Sequence, residues 1–138
     1  MTISDDIDCS VYVDADTSPG DLARSMVDAA IGPMVNLSTD ARNATLRGDH
    51  FEIEVLKSND ADTLRRLDFP DGFLYFSFKV DIYVDAARMT PEERVRLVDQ
   101  LLHLFWKNGH PAVAACDYED QLRLGGGFKS ADVPWPKR

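Results

Sequence analysis

Six carboxylates fall at strand-like positions where they could do chemistry. Asp8 and Asp14 bracket one alternating run, Glu52 and Glu54 stand in a second, and Asp81 and Asp85 in a third. Two chemistries suit such groups. The first is metal chemistry, since carboxylates on neighbouring strands can hold Mg²⁺ or Mn²⁺. Asp81 and Asp85 are about 13 Å apart at roughly 3.3 Å per residue, too far to share an ion. Asp8 or Asp14, on a neighbouring strand taken as parallel, would have to complete the set. No glycine loop ahead of a helix and no adjacent Asp-Asp at the turn between the second and third strands accompanies them, so the sequence assigns no catalytic residue, no metal ligand set and no cofactor. A small metal-dependent or ligand-binding enzyme domain using Asp8, Asp81 and Asp85 is the alternative reading.

The second chemistry is recognition. Tyr12, Tyr75 and Tyr83 share the parity of these carboxylates. Tyrosine supplies contact area at low entropic cost, and complementary charge speeds encounter. The expected protein-binding face is Asp8, Tyr12, Asp14, Glu52, Glu54, Tyr75, Asp81, Tyr83 and Asp85, with Lys79 the lone cation among the outward residues. RNA-binding sheets carry aromatic and basic residues together. This face has the aromatics and the opposite charge, so its natural partner is a basic protein. A solvated sheet face or a homodimer surface is the plainer alternative.

The remaining reactive side chains form no recognisable motif. His50, His103 and His110 are scattered, and His103 lies one helical turn after Asp99, a spacing that permits an ion pair. Cys9 and Cys116 are too few for a disulfide framework and form no Cys-x-x-Cys motif. They fall on strands expected to be antiparallel neighbours, each as a small buried hydrophobe. Gly125-Gly126-Gly127 lacks the Lys-Ser/Thr of a phosphate loop and reads as a hinge.

The elements that would position these residues follow from periodicity. Ile7, Cys9, Val11 and Val13 alternate with polar neighbours, the pattern of a half-buried strand. Thr17 or Ser18 can cap a helix whose first turn holds Pro19 and Asp21, with Gly32-Pro33 as its stop. Residues 34–50 suggest short strands or a hairpin. Phe51, Ile53 and Val55 mark another strand. After the turn Phe69-Pro70-Asp71-Gly72, residues 74–85 alternate without a break and predict one long strand. Thr90-Pro91-Glu92-Glu93 opens a second helix and Asn108-Gly109 closes it. Residues 111–118 are a short apolar strand.

That order predicts one α+β domain over residues 1–122 with the ferredoxin-like βαββαβ arrangement: an antiparallel sheet, both helices on one face, strands 7–14 and 74–85 central. Residues 123–138 form an arm whose Phe128 and Trp135 need cover, either on this chain or on a second copy.

The chain has 138 residues and a net charge of −9, from 19 Asp and 5 Glu against 15 basic residues. This excludes nonspecific binding to nucleic acid or anionic lipid. No apolar run spans a membrane and no secretion signal is read, so the expected compartment is the cytoplasm. The functional expectation is a non-enzymatic binding domain, with an immunity- or antitoxin-type inhibitor of a basic partner as its specific form.

Overall fold

The computed structural model describes residues 3–31 and 36–137; the helix stop read at Gly32-Pro33 and the alternation at Val35 fall outside them. The chain is α+β, with a six-stranded antiparallel sheet and two helices. Strands β1 (Cys9–Val13), β2 (Asn36–Thr39), β3 (Asn43–Arg47), β4 (Phe51–Lys57), β5 (Phe78–Val84) and β6 (Ala112–Ala115) are joined with helices α1 (Pro19–Asp28) and α2 (Pro91–Lys107). The sheet order is β2-β3-β4-β5-β1-β6. Within residues 36–47, β2 and β3 form a hairpin, which extends the sheet beyond β4.

Both helices begin as their sequences dictate. Ser18 Oγ accepts the Asp21 N–H, and Pro19 occupies the first turn where no intrahelical donor is needed. Thr90 and Glu93 form a reciprocal capping box, satisfying two otherwise orphaned N–H groups. α2 ends on Gly109 at φ +79°, a conformation glycine takes without a Cβ penalty. The His110 N–H then reaches the Phe105 carbonyl at 2.8 Å, closing the helix end.

The helices share one face of the sheet. Val11 and Val13, Ala44 and Leu46, Ile53 and Val55, and Val80 and Ile82 form one buried cluster with Leu22, Met26, Val98, Leu101 and Phe105. α1 packs over β3 and β4, and α2 over β1 and β6. Period two in the strands and 3.6 in the helices meet on this single apolar layer.

Several expectations are corrected. Residues 74–85 are not one strand. Asp71–Tyr75 is a 3₁₀ segment, Leu74 is 44% exposed, and the strand starts only at Phe78. Ser77 explains the break: its N–H donates to Asp14 Oδ1 and its hydroxyl bridges the Ala15 N–H and carbonyl, turning the chain away before β5. Ile7, expected inside, is 45% exposed. β1 and β5 run antiparallel rather than parallel, with Ser10 opposite Asp81. Asp99 accepts the Arg123 N–H at 2.9 Å, and His103 Nδ1 lies 3.4 Å from the Arg123 guanidinium, so these two residues hold the arm and do not pair with each other.

The arm is not hinged at its glycines. Gly126 and Gly127 are buried at φ +78° and +93°, and a Cβ on Gly127 would come 2.9 Å from the Ala112 carbonyl and from the Trp106 ring. Only glycine allows the arm to run this close along β6, an edge strand that would otherwise invite pairing. Beyond it, Phe128 packs edge-on against Phe73, and Trp135 sits between Phe69 and Phe76. The Trp135 indole N–H donates to the Leu67 carbonyl at 3.0 Å. Trp135 is thus half-buried against the chain that carries it, while Phe128 stays 36% exposed beside Phe73.

Candidate functional site

On the side of the sheet away from the helices, β4 and β5 present the outward members of their alternation. Register places Glu52 opposite Tyr83 and Glu54 opposite Asp81. Ile53 and Ile82 between them point into the core, so parity alone sends these four side chains to the other face. The structure thus brings together Glu52, Glu54, Asp81 and Tyr83.

The four differ in their surroundings. Asp81 is only 3% exposed; it accepts the Ser10 hydroxyl at 2.8 Å and lies 3.6 Å from Lys79 Nζ. Glu52 pairs with Arg47, its opposite on β3, at 2.7 Å. Glu54 faces Thr45 on one side and Asp81 on the other, and makes no ion pair among the described residues. Partial burial first, then Asp81 and Glu52, raise the Glu54 carboxyl above its ordinary range. The Tyr83 phenol is also raised, by burial first and then by Asp81, Glu54 and Glu52. The patch is therefore a strand-centred cluster of negative potential with one unneutralised carboxylate at its middle.

Glu54 carries a stability consequence. A carboxyl whose pKa is higher folded than unfolded favours the fold below its unfolded pKa, and that contribution is lost as pH rises through the folded value. Glu54→Gln is accordingly expected to stabilise the protein at pH 7 by roughly 0.2–1 kcal/mol, the range for a cross-strand pair. The advantage should shrink at pH 4. Urea unfolding at the two pH values checks this; no gain at pH 7, or a gain that grows in acid, contradicts it.

The other expected face residues lie elsewhere. Asp14 pairs with Arg66 and accepts the Ser77 N–H. Asp8 accepts the Tyr118 hydroxyl at 2.6 Å and lies 3.6 Å from Arg94 of α2. Asp85 is buried and accepts the Ala87 N–H, closing the turn after β5. Tyr12 is capped by the Phe73 ring, edge-on at 5.3 Å. Tyr75 belongs to the 3₁₀ segment, not to the sheet, and stacks under the Arg65 guanidinium. The face is therefore covered at its β1 end and open over β4 and the adjoining part of β5. Sequence reading missed Ser10 as the hydroxyl that orients Asp81, although its parity beside Tyr12 was visible.

Asp8, Asp81 and Asp85 thus serve three separate sets of partners, which leaves the metal-dependent alternative without a converging site. Among the described residues no group of three His, Cys, Asp or Glu side chains is arranged to hold a metal ion. A cleft of about 380 Å³ lies beside α2, lined by Ala30, His50, Phe51, Met89, Arg96 and Leu97 among others, and none of those three aspartates lines it. No described helix is long and apolar enough to cross a membrane. No family model, no curated protein and no solved structure matches this chain.

Proposed function

We propose that this protein is a non-enzymatic binding domain whose β4–β5 face receives a basic protein. The observation that carries this reading is Glu54 directly opposite Asp81. Like charges facing each other across strands destabilise a sheet, and a cation from a partner, placed between the two carboxylates, would relieve that cost. Tyr83 and Glu52 beside them supply an amphipathic contact and a second acidic group, a combination suited to a Lys- or Arg-bearing surface. A second copy of this chain is less suited, since it would bring acid against acid. Nucleic acid is disfavoured for the same reason.

The specific form we favour is an immunity- or antitoxin-type inhibitor of a cationic protein, such as a nuclease, with carboxylates standing where phosphates would bind. Two cysteines are too few for a disulfide framework, and we place the protein in the cytoplasm. We also read β1, α1, β4, β5, α2 and β6 as a ferredoxin-like unit extended by β3 and β2.

The test is capture from an extract of the source cells, with wild-type protein and Glu54→Lys as parallel baits. The wild type is expected to retain a basic protein at low salt and release it as salt rises; the variant is expected to retain little of it. Equal capture by both baits, or no basic protein on the wild type, refutes the proposal.

A further inference from the structure

Cys9 and Cys116 lie together at the end of β1 furthest from the arm's aromatic cluster. The register Ser10 opposite Ala115 continues by one residue to place Cys9 opposite Cys116. The hydrogen bond from the Asp14 N–H to the Pro111 carbonyl marks that pair, four residues along, as hydrogen-bonded. Alternation makes Ser10–Ala115 hydrogen-bonded as well, and Cys9–Cys116 the non-hydrogen-bonded kind. In such pairs the Cα atoms are about 4.5 Å apart and the side chains draw closest, within the span a disulfide bridges. Consistently, the Cys116 N–H leaves the ladder and donates to Glu119 Oε2. Cys9 is buried at 1% exposure and its thiol donates to the Ser10 carbonyl at 3.8 Å, while Cys116 beside it is half-buried.

The geometry points to Cys9 and Cys116 as a reversible dithiol site that takes a small-molecule disulfide as its oxidising substrate and closes into a cross-strand disulfide. This goes beyond the binding reading and does not depend on it.

The two sulfurs divide the work. Cys116 is the more accessible, and its pKa is lowered chiefly by the Cys9 thiol and also by the Tyr118 backbone N–H, against the opposing effects of burial, Glu119 and Asp8. Cys9 is raised, first by the neighbouring Cys116 sulfur, then by burial and the negative charges of Cys116, Asp8 and Glu119. Tyr118, whose hydroxyl donates to Asp8, is the other titratable group packed beside the pair. A lowered pKa makes Cys116 the attacking thiolate. Its sulfur attacks one sulfur of the small disulfide, the S–S bond breaks, and one small thiolate leaves to take a proton from water. The mixed disulfide removes the Cys116 charge that held the Cys9 proton on. Cys9 then gives its proton to solvent and attacks the Cys116 sulfur, expelling the second small thiol. The two cysteines are oxidised to one disulfide, and one small disulfide is reduced to two thiols.

The probe is 2-hydroxyethyl disulfide, which is neutral and avoids repulsion by Asp8 and Glu119, applied to the whole native protein and read by intact mass. The expected product is a monomer lighter by two hydrogens, with the Cys9 and Cys116 peptides joined and dithiothreitol restoring the starting mass. Cys9→Ala is expected to stop at one mercaptoethanol adduct on Cys116, and Cys116→Ala to stay unmodified. The wild-type result decides even if a variant folds poorly. A wild-type protein that keeps a stable adduct, forms a linked dimer or does not react overturns the inference.

Discussion

Trp135→Ala is expected to remove about 3 kcal/mol of folding stability, near the low end for deleting a large aromatic from a packed site. Trp135 lies near the end of the arm, beyond the buried Gly126 and Gly127 and the Phe128–Phe73 contact. Its ring makes edge-to-face contacts with Phe69 and Phe76 at 5.1 and 5.3 Å, each worth roughly 0.5–1.5 kcal/mol beyond area burial. Its indole N–H also satisfies the Leu67 carbonyl. Phe76 is completely buried and stands outside the main core cluster, so the tryptophan is a principal part of its cover. At roughly 3 °C per kcal/mol for a chain of this size, the melting temperature should fall by about 10 °C. Limited proteolysis should open the segment after Lys129 before the rest of the chain. A variant that melts within about 2 °C of wild type would mean the arm contributes little.

Glu54→Lys carries the second large effect, on binding. Reversing this charge replaces the repulsion with Asp81 by attraction, so the fold should be as stable as wild type or slightly more so. Affinity for the purified basic partner should nevertheless fall by about 10- to 100-fold, because a like-charge contact at an interface costs several kcal/mol before relaxation. Titration calorimetry beside a thermal melt separates the two. Unchanged affinity would remove Glu54 from the interface. Affinity lost together with a lowered melting temperature would point to damage to the fold instead. A residue that stabilises the fold when replaced while weakening binding is retained for what it contacts.

Much of this architecture was legible because periodicity and caps agree. Ser18-Pro19 and Thr90-Pro91 with Glu93 announce both helices, and Phe51, Ile53 and Val55 announce β4. The break at Ser77 was not legible. Leu74 and Phe76 keep the same parity as Phe78 and Val80, so the alternation reads straight through a 3₁₀ segment. Only Asp14, Ala15 and Ser77, distant in sequence, reveal the turn. The site divides in the same way. Glu52, Glu54, Asp81 and Tyr83 lie within strands, where parity decides the face. Asp8, Asp14 and Asp85 lie at strand ends, where the pleat gives way and a carboxylate is drawn to a nearby N–H, hydroxyl or guanidinium. The closeness of Cys9 and Cys116 was within reach from topology, while the unknown parity of residues 112–116 left their facing undecided until the β1–β6 register was known.

The central claim is that the open part of the sheet, over β4 and β5, is where a basic protein docks. Amide chemical-shift mapping of isotope-labelled protein, titrated with the captured partner, tests it most directly. The account predicts that the largest shifts cluster at Glu52, Glu54, Asp81 and Tyr83, with α1 and α2 undisturbed and the shifts fading as salt is added. Shifts centred on the cleft beside His50 and Arg96, or spread evenly over the acidic surface, would contradict it.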